Sequence, residues 1–311
     1  MRLELLTVPT LLLVTGLVFT PAVQHDFLVW DDDKNITANP IVSSASIDKL
    51  PVLWRAPYQG LYIPVTYSAW TLIAAAQLSL EPQDELSPVW FHTANIALHL
   101  VNTLLVLLLL WRLIDRRSLI PPVLGAAIFA IHPLQVEAVS WATGLKDVLS
   151  TTLALLALLF YLRNSESNLR RYARGSIHVS AWLRCLFALV CYGLAVLAKP
   201  AVVILPLVAL TLETAFYRPT PARYGVVLGL FVASIAAVAW FTVTAQDTSN
   251  LALPLSPTPV WARPIIALDA LGFYLIKLFL PLKLAVDYGH TPAAALGAFP
   301  PILLLIPFAA L

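Results

Sequence analysis

Charged residues are scarce in this chain. Asp, Glu, Lys and Arg together make up 12% of its 311 residues, about half the share in a soluble domain. Hydrophobic residues account for 59%, and the mean hydropathy is +0.82. An ordinary soluble domain is therefore excluded, and the chain reads as an all-α polytopic membrane protein. The net charge of +2 is too small to imply nucleic-acid binding. Cysteine is nearly absent: Cys185 and Cys191 lie in one apolar run, too far apart in helical phase to face each other. They read as packing residues, neither a disulfide nor a metal pair. A small-x-small cleavage motif is also missing ahead of His25, so the leucine-rich N-terminal run reads as an uncleaved signal anchor.

Apolar runs, by contrast, are abundant. They fall at roughly 5–24, 90–111, 119–134, 147–162, 181–198, 200–217, 224–244, 264–284 and 298–311, which predicts a bundle of roughly 8–9 transmembrane helices. The weaker stretch 61–80 decides the orientation. If it spans, Arg112–Arg117 and Arg163–Arg174 fall on the outside. If it lies in the interface, both fall inside with Arg2, Arg218 and Arg223, which the positive-inside rule favours. The N-terminus is then cytoplasmic, 25–88 is a large first extracytoplasmic loop, and 132–146 is the second. The first loop is acidic: Asp26, Asp31, Asp32, Asp33, Asp48, Glu81, Asp84 and Glu85 outweigh Lys34, Lys49 and Arg55. Its Trp54, Tyr58, Tyr62, Tyr67 and Trp70 suit helices lying in the headgroup layer.

Within that loop stand Asp31, Asp32 and Asp33, three adjacent carboxylates a few residues beyond the first apolar run. Aspartate is costly in hydrocarbon, so the cluster belongs in water at the membrane face. Three like charges in a row also repel unless a cation or base offsets them. The same face receives a second acidic motif, His132, Glu137 and Asp147, and two lysines, Lys146 and Lys199, placed against the orientation bias. Bland readings exist for each. The triplet can be a solvated turn, His132-Pro133 a helix stop, Asp147 an N-cap and the lysines snorkelling side chains. The stripe His92, Asn95, His99, Asn102, at spacings of three and four, reads as interhelical hydrogen bonding.

Four strings carry a resemblance: FLVWDDDKNITANP, FHTANIALHLVNTLLV, FAIHPLQVEAVSWATGLKDVLS and LAKPAVVILPLVALTLE. In order and spacing they resemble the bacterial relatives of the transmembrane and tetratricopeptide-repeat-containing O-mannosyltransferases, within the GT-C class of membrane glycosyltransferases. The resemblance runs over essentially the whole chain. It implies a single GT-C-like transmembrane domain over 1–311 and a multi-pass protein of a bacterial inner membrane. It further implies transfer of a sugar, mannose favoured, from a polyprenyl-phosphate donor to a protein or glycan hydroxyl on the extracytoplasmic face. The family's helical-repeat tail is not visible, so a fragment or a tailless form is expected.

The resemblance places the catalytic base among Asp31, Asp32 and Asp33. The chemistry asks for a carboxylate to take the acceptor proton and a cation to stabilise the departing lipid phosphate. Lys146, Lys199 and Arg263 are the candidate phosphate contacts. A divalent metal, Mg²⁺ or Mn²⁺, on Asp33, Glu137 and Asp147 is the competing source of positive charge. The metal-free version is favoured, because Lys146 adjoins Asp147 and can neutralise it. Asp269 is either a partner for Lys277 or a sign that its helix lies flat, and the sides of Asp287 and His290 stay open. The alternative function is a transporter or flippase for lipid-linked sugars. That reading calls for ionisable residues near the bilayer midplane and for an internal repeat. Here the acids gather at one face and no two halves match.

Overall fold

A computed structural model describes residues 2–81, 85–114, 118–172, 179–217, 221–247, 259–289, 291, 292 and 296. Asp84, Arg116, Arg117, Arg174, Arg218, His290 and the run 298–311 lie outside them. The chain divides into two compact units, Met1–Ser249 and Asn250–Leu311, each taken by itself here.

Helices account for nearly all of the first unit. α1 (Arg2–Phe19) continues into a 3₁₀ turn, Thr20–Gln24, and a π-helical turn follows at Asp33–Thr37. Then come α2 (Pro40–Ser43), α3 (Leu50–Arg55), α4 (Pro64–Leu80), α5 (Pro88–Leu113), α6 (Ile120–Ile131) and α7 (Gln135–Ser140). α8 (Leu145–Tyr172), α9 (Val179–Ala198), α10 (Leu205–Tyr217) and α11 (Pro221–Asp247) complete it. The second unit contributes α12 (Arg263–Phe279). No strand occurs among the described residues, only an isolated bridge between Tyr58 and Leu61. Proline opens α2, α4 and α5, where its missing N–H costs nothing and its fixed φ suits the first turn. At α2 the Asn39 carboxamide oxygen also accepts from the Ile41 and Val42 N–H groups.

Among the described residues, five helices are long and apolar enough to cross a membrane: Leu6–Gln24, Pro88–Leu113, Ala142–Arg163, Pro200–Tyr217 and Tyr224–Phe241. Of the expected 8–9 spans, the described residues thus supply five of full length. Runs 119–134 and 181–198 form the shorter apolar helices Ile120–Ile131 and Trp182–Ala198. α6, with 12 residues, covers only about 18 Å, because His132 turns to extended backbone ahead of Pro133. Run 264–284 yields a 17-residue helix that stops at Phe279, just before Pro281. The weak stretch 61–80 folds as α4, which is not among the five.

The polar stripe is the mortar of the bundle. Asn95 Nδ2 donates to the Trp141 carbonyl (2.6 Å) and Asn102 Nδ2 to the Val148 carbonyl (2.9 Å). Thr152 donates to Asn102 Oδ1 (2.7 Å), and His99 Nε2 meets the Ala130 carbonyl (2.8 Å). Later α5 residues meet later α8 residues, so these two helices run in the same direction. The first loop is no loose connection either. Ile36, Val42, Leu53, Ile63, Tyr67 and Trp70 form one buried core with Phe91, Val139, Leu145 and Val148. Each such side chain stabilises by roughly 1.5–3 kcal/mol. This core seats 33–80 on the heads of α5 and α8, and Thr66 Oγ1 ties α4 to the Ala198 carbonyl of α9 (2.8 Å).

Candidate active site

The three aspartates share a sequence but not an environment. The chain turns tightly at Leu28–Trp30, with Val29 and Trp30 exposed, and enters helical backbone at Asp31. Consecutive side chains there point about 100° apart. Asp32 falls inward and is fully buried. Its Oδ2 accepts from the Leu28 N–H (3.0 Å) and its Oδ1 from the Thr143 N–H (2.9 Å). Two charge-assisted bonds on one buried carboxylate make it a clamp between the first loop and the start of α8. Asp33 is half-buried, and its Oδ1 accepts from the Lys34 N–H (2.8 Å).

Asp31 points elsewhere. Its Oδ2 lies 3.3 Å from Lys146 Nζ, with 25% of the lysine side chain and 34% of the aspartate exposed. One residue on, Asp147 forms an ion pair with Lys199, also part-exposed. Lys146 and Asp147 are consecutive in the first turn of α8, so the two pairs start from adjacent positions of one turn, about 100° apart around the axis. They gather the first loop, α8 and the α9–α10 junction at one place. Part-exposed pairs contribute little to stability, about 0–1 kcal/mol; their value is that four charges are held at the mouth of the bundle. The expectation that Lys146 neutralises Asp147 is corrected here. Lys146 reaches back to Asp31, and Lys199 takes Asp147 instead.

Supporting residues escaped the sequence reading. Asn35 is buried, donates through Nδ2 to the Asp31 carbonyl (2.9 Å) and accepts at Oδ1 from the Tyr67 hydroxyl (2.9 Å). Burial first, then Tyr58 and Asp31, push the Tyr67 hydroxyl well above its ordinary pKa, so it stays a donor. Asn35 stands four residues after Asp31, a spacing that would have flagged it once the turn was known to be helical. Gly144 precedes the Leu-Lys-Asp start of α8. A methyl group there would collide with the Ala138 carbonyl oxygen, so only glycine lets α7 and α8 approach this closely.

The second acidic motif splits up. His132 ends α6, and its Nδ1 accepts from the Leu134 N–H (3.2 Å), as the helix-stop reading expects. Glu137 is exposed on α7. Among the described residues no three His, Cys, Asp or Glu side chains converge to hold a metal ion, so Asp33, Glu137 and Asp147 do not form the ligand set considered above. Arg263 opens α12 in the second unit.

The fold and site define an all-helical protein with membrane-crossing helices and a charged cluster at the end of its bundle. No family model and no solved structure matches it. Curated relatives do. The chain is 32% identical over 143 residues to "Protein O-mannosyl-transferase Tmtc1" of Drosophila melanogaster, covering 44% of this chain and 16% of that protein. It is 31% identical over 144 residues to "Protein O-mannosyl-transferase F38B6.6" of Caenorhabditis elegans, covering 45% and 21%. Against "Protein O-mannosyl-transferase TMTC1" of Homo sapiens the identity is 37% over 81 residues, covering 26% and 9%. The matched part thus spans about a fifth or less of each relative. These similarities support a distant relationship to protein O-mannosyltransferases.

Proposed function

We propose that this chain is a membrane glycosyltransferase of GT-C type that moves mannose from a polyprenyl-phosphate donor to a protein hydroxyl on the extracytoplasmic face. The observation that carries this reading is the placement of the Asp31 carboxylate against Lys146, beside a second lysine–carboxylate pair, at one end of the bundle. Asp31 is the base: it takes the acceptor proton as the acceptor oxygen bonds to C1 of the sugar. The bond between C1 and the phosphate oxygen breaks, and the lipid phosphate leaves with the electron pair. Lys146 and Lys199 stabilise that anion. In this reading the donor phosphate exchanges with the carboxylates for the two ammonium groups, which frees Asp31 at the moment it is needed. A single displacement of this kind inverts the anomeric centre. In this reading no step runs through a metal.

The test is transfer of label from radiolabelled polyprenyl-phosphate mannose to a Ser/Thr-containing peptide by the purified chain. Transfer is expected to persist in EDTA. Lys146→Ala and Lys199→Ala are expected to raise the donor KM more than the acceptor KM. Full loss in EDTA with both lysine variants active would overturn the lysine assignment. Passage of the labelled lipid across vesicles without any transfer would make the protein a flippase.

A further inference from the structure

The turn just ahead of Asp31 carries an apolar surface that the transfer reading does not use. Leu28, Val29 and Trp30 are 50%, 88% and 57% exposed, three apolar side chains in a row inside an acidic loop. They do not project from a loose segment. Phe27 packs its ring edge to face on Phe91 of α5, with centroids 5.5 Å apart. The Leu28 N–H donates to Asp32 Oδ2 (3.0 Å) and the Trp30 N–H to the Leu28 carbonyl (2.8 Å), while Asp32 Oδ1 accepts from the Thr143 N–H. With an anchor on each side, the tripeptide is held outward, and its exposure is built into the fold.

Its depth follows from the helices that anchor it. The membrane-crossing stretch of α1 ends at Gln24, and Phe91 stands in the first turn of membrane-crossing α5. Phe27 therefore lies at the boundary between hydrocarbon and headgroups. Asp147 and Arg163 lie sixteen residues apart on α8, about 24 Å along the axis, close to the thickness of a bilayer's hydrocarbon core. The Asp31–Lys146 cluster thus belongs to the same boundary as the turn, and Arg163 to the opposite one. The first loop touches that level at a second place, where Tyr62 stacks on Phe241, the last residue of the Tyr224–Phe241 span, with centroids 4.6 Å apart. We infer that Leu28, Val29 and Trp30 form a hook that dips into the lipid surface at the Asp31 end of the bundle. Indole favours the headgroup boundary, and the aliphatic Leu28 and Val29 side chains gain by leaving water. Asp26 and Asp33 flank the turn and keep the dip shallow, since carboxylates stay out of hydrocarbon. A polypeptide is the other kind of surface that an apolar tripeptide fits; the bilayer is favoured because both anchors put the turn at membrane depth. Joined to the proposed reaction, on which only this step rests, the hook sets the adjoining Asp31 carboxylate at the level of lipid phosphates.

The hook is read by depth, without a transferase assay. With Cys185 and Cys191 replaced by alanine, the Val29→Cys chain carries a nitroxide label and is reconstituted in phosphatidylcholine liposomes free of any acceptor. Power-saturation electron paramagnetic resonance compares collisions of the label with lipid-soluble oxygen and with a water-soluble nickel chelate. Oxygen collisions are expected to dominate at Val29→Cys, and chelate collisions at Ser44→Cys, an exposed site of the same loop. Trp30→Cys is expected to match Val29→Cys and decides the matter if that variant does not fold. Adding Leu28→Ser and Trp30→Ser to Val29→Cys is expected to shift the label towards the chelate; an unmoved label overturns the claim that these side chains hold the turn in lipid. Chelate collisions at Val29→Cys as frequent as at Ser44→Cys put the turn in water and overturn the hook, leaving a polypeptide as the partner of this surface. A turn in lipid without sugar transfer defeats the proposed reaction and leaves the hook standing, and transfer with the turn in water does the reverse.

Discussion

Asp31, Asp32 and Asp33 show how three identical neighbours acquire three roles once the backbone turns helically. Asp32 is buried with each carboxylate oxygen accepting a backbone N–H, Asp31 meets an ammonium group at the bundle mouth, and the Asp33 carboxylate accepts only from the N–H beside it among the described contacts. The three Asn variants should therefore fail differently. Asp31→Asn is expected to cut transfer by on the order of 10²–10⁴ while leaving thermal stability unchanged, as loss of a general base does. Asp32→Asn turns an amide N–H₂ towards a backbone donor and is expected to cost roughly 1–3 kcal/mol of stability. Asp33→Asn should keep near-normal turnover. Initial rates and thermal unfolding of the three variants check this. If Asp33→Asn abolishes transfer and Asp31→Asn does not, the base is Asp33 and the Asp31–Lys146 pair is only structural.

The junction between α7 and α8 sets where Lys146 and Asp147 emerge, and Gly144 is its tightest point. Gly144→Ala forces a methyl group into the Ala138 carbonyl, so the junction must open at a cost of about 1–3 kcal/mol. The expected readout is a lower thermal midpoint together with a raised donor KM, since Lys146 moves with the junction. Gly193→Ala in α9, where a methyl group meets open space, is the matched control and is expected to be neutral or slightly stabilising. Equal behaviour of the two variants would remove Gly144 from the argument. At this level the sequence was legible in part. Apolar runs located most of the long helices, and the spacing of Asn95, His99 and Asn102 announced an interhelical seam, because periodicity is a local property; His92 of the same stripe instead meets the His25 ring edge to face. What periodicity cannot carry is partner choice: Asp31 meets Lys146 across 115 residues and Asp32 meets Thr143 across 111. Helix length was misjudged where hydropathy ran on through Pro281, whereas Pro133 was read as a stop and is one. The first loop looked like surface segments yet packs as a core, since its apolar residues are interleaved with charge.

Seen end to end, the first unit separates its charges along the bundle. Asp31, Lys146, Asp147 and Lys199 gather at one end, and Arg112 and Arg163 stand at the other. Five helices able to cross a membrane lie in this unit. The proposed orientation follows the positive-inside rule: the arginine end in the cytoplasm, the aspartate cluster outside and the N-terminus inside. Ser44 follows α2 on the aspartate side, exposed and bonded only locally. Ser118 lies in the α5–α6 connection at the arginine end, beside the start of α6. With Cys185 and Cys191 replaced by alanine to clear the background, Ser44→Cys is expected to react with a membrane-impermeant maleimide in intact cells. Ser118→Cys is expected to react only after permeabilisation. Both variants must retain transfer for the labelling to report on the working protein. The reverse pattern would move Asp31 to the cytoplasmic face and reassign the donor to that leaflet. Labelling of both in intact cells would mean that α5 does not span, which removes the 24 Å axis on which the two charged ends are told apart.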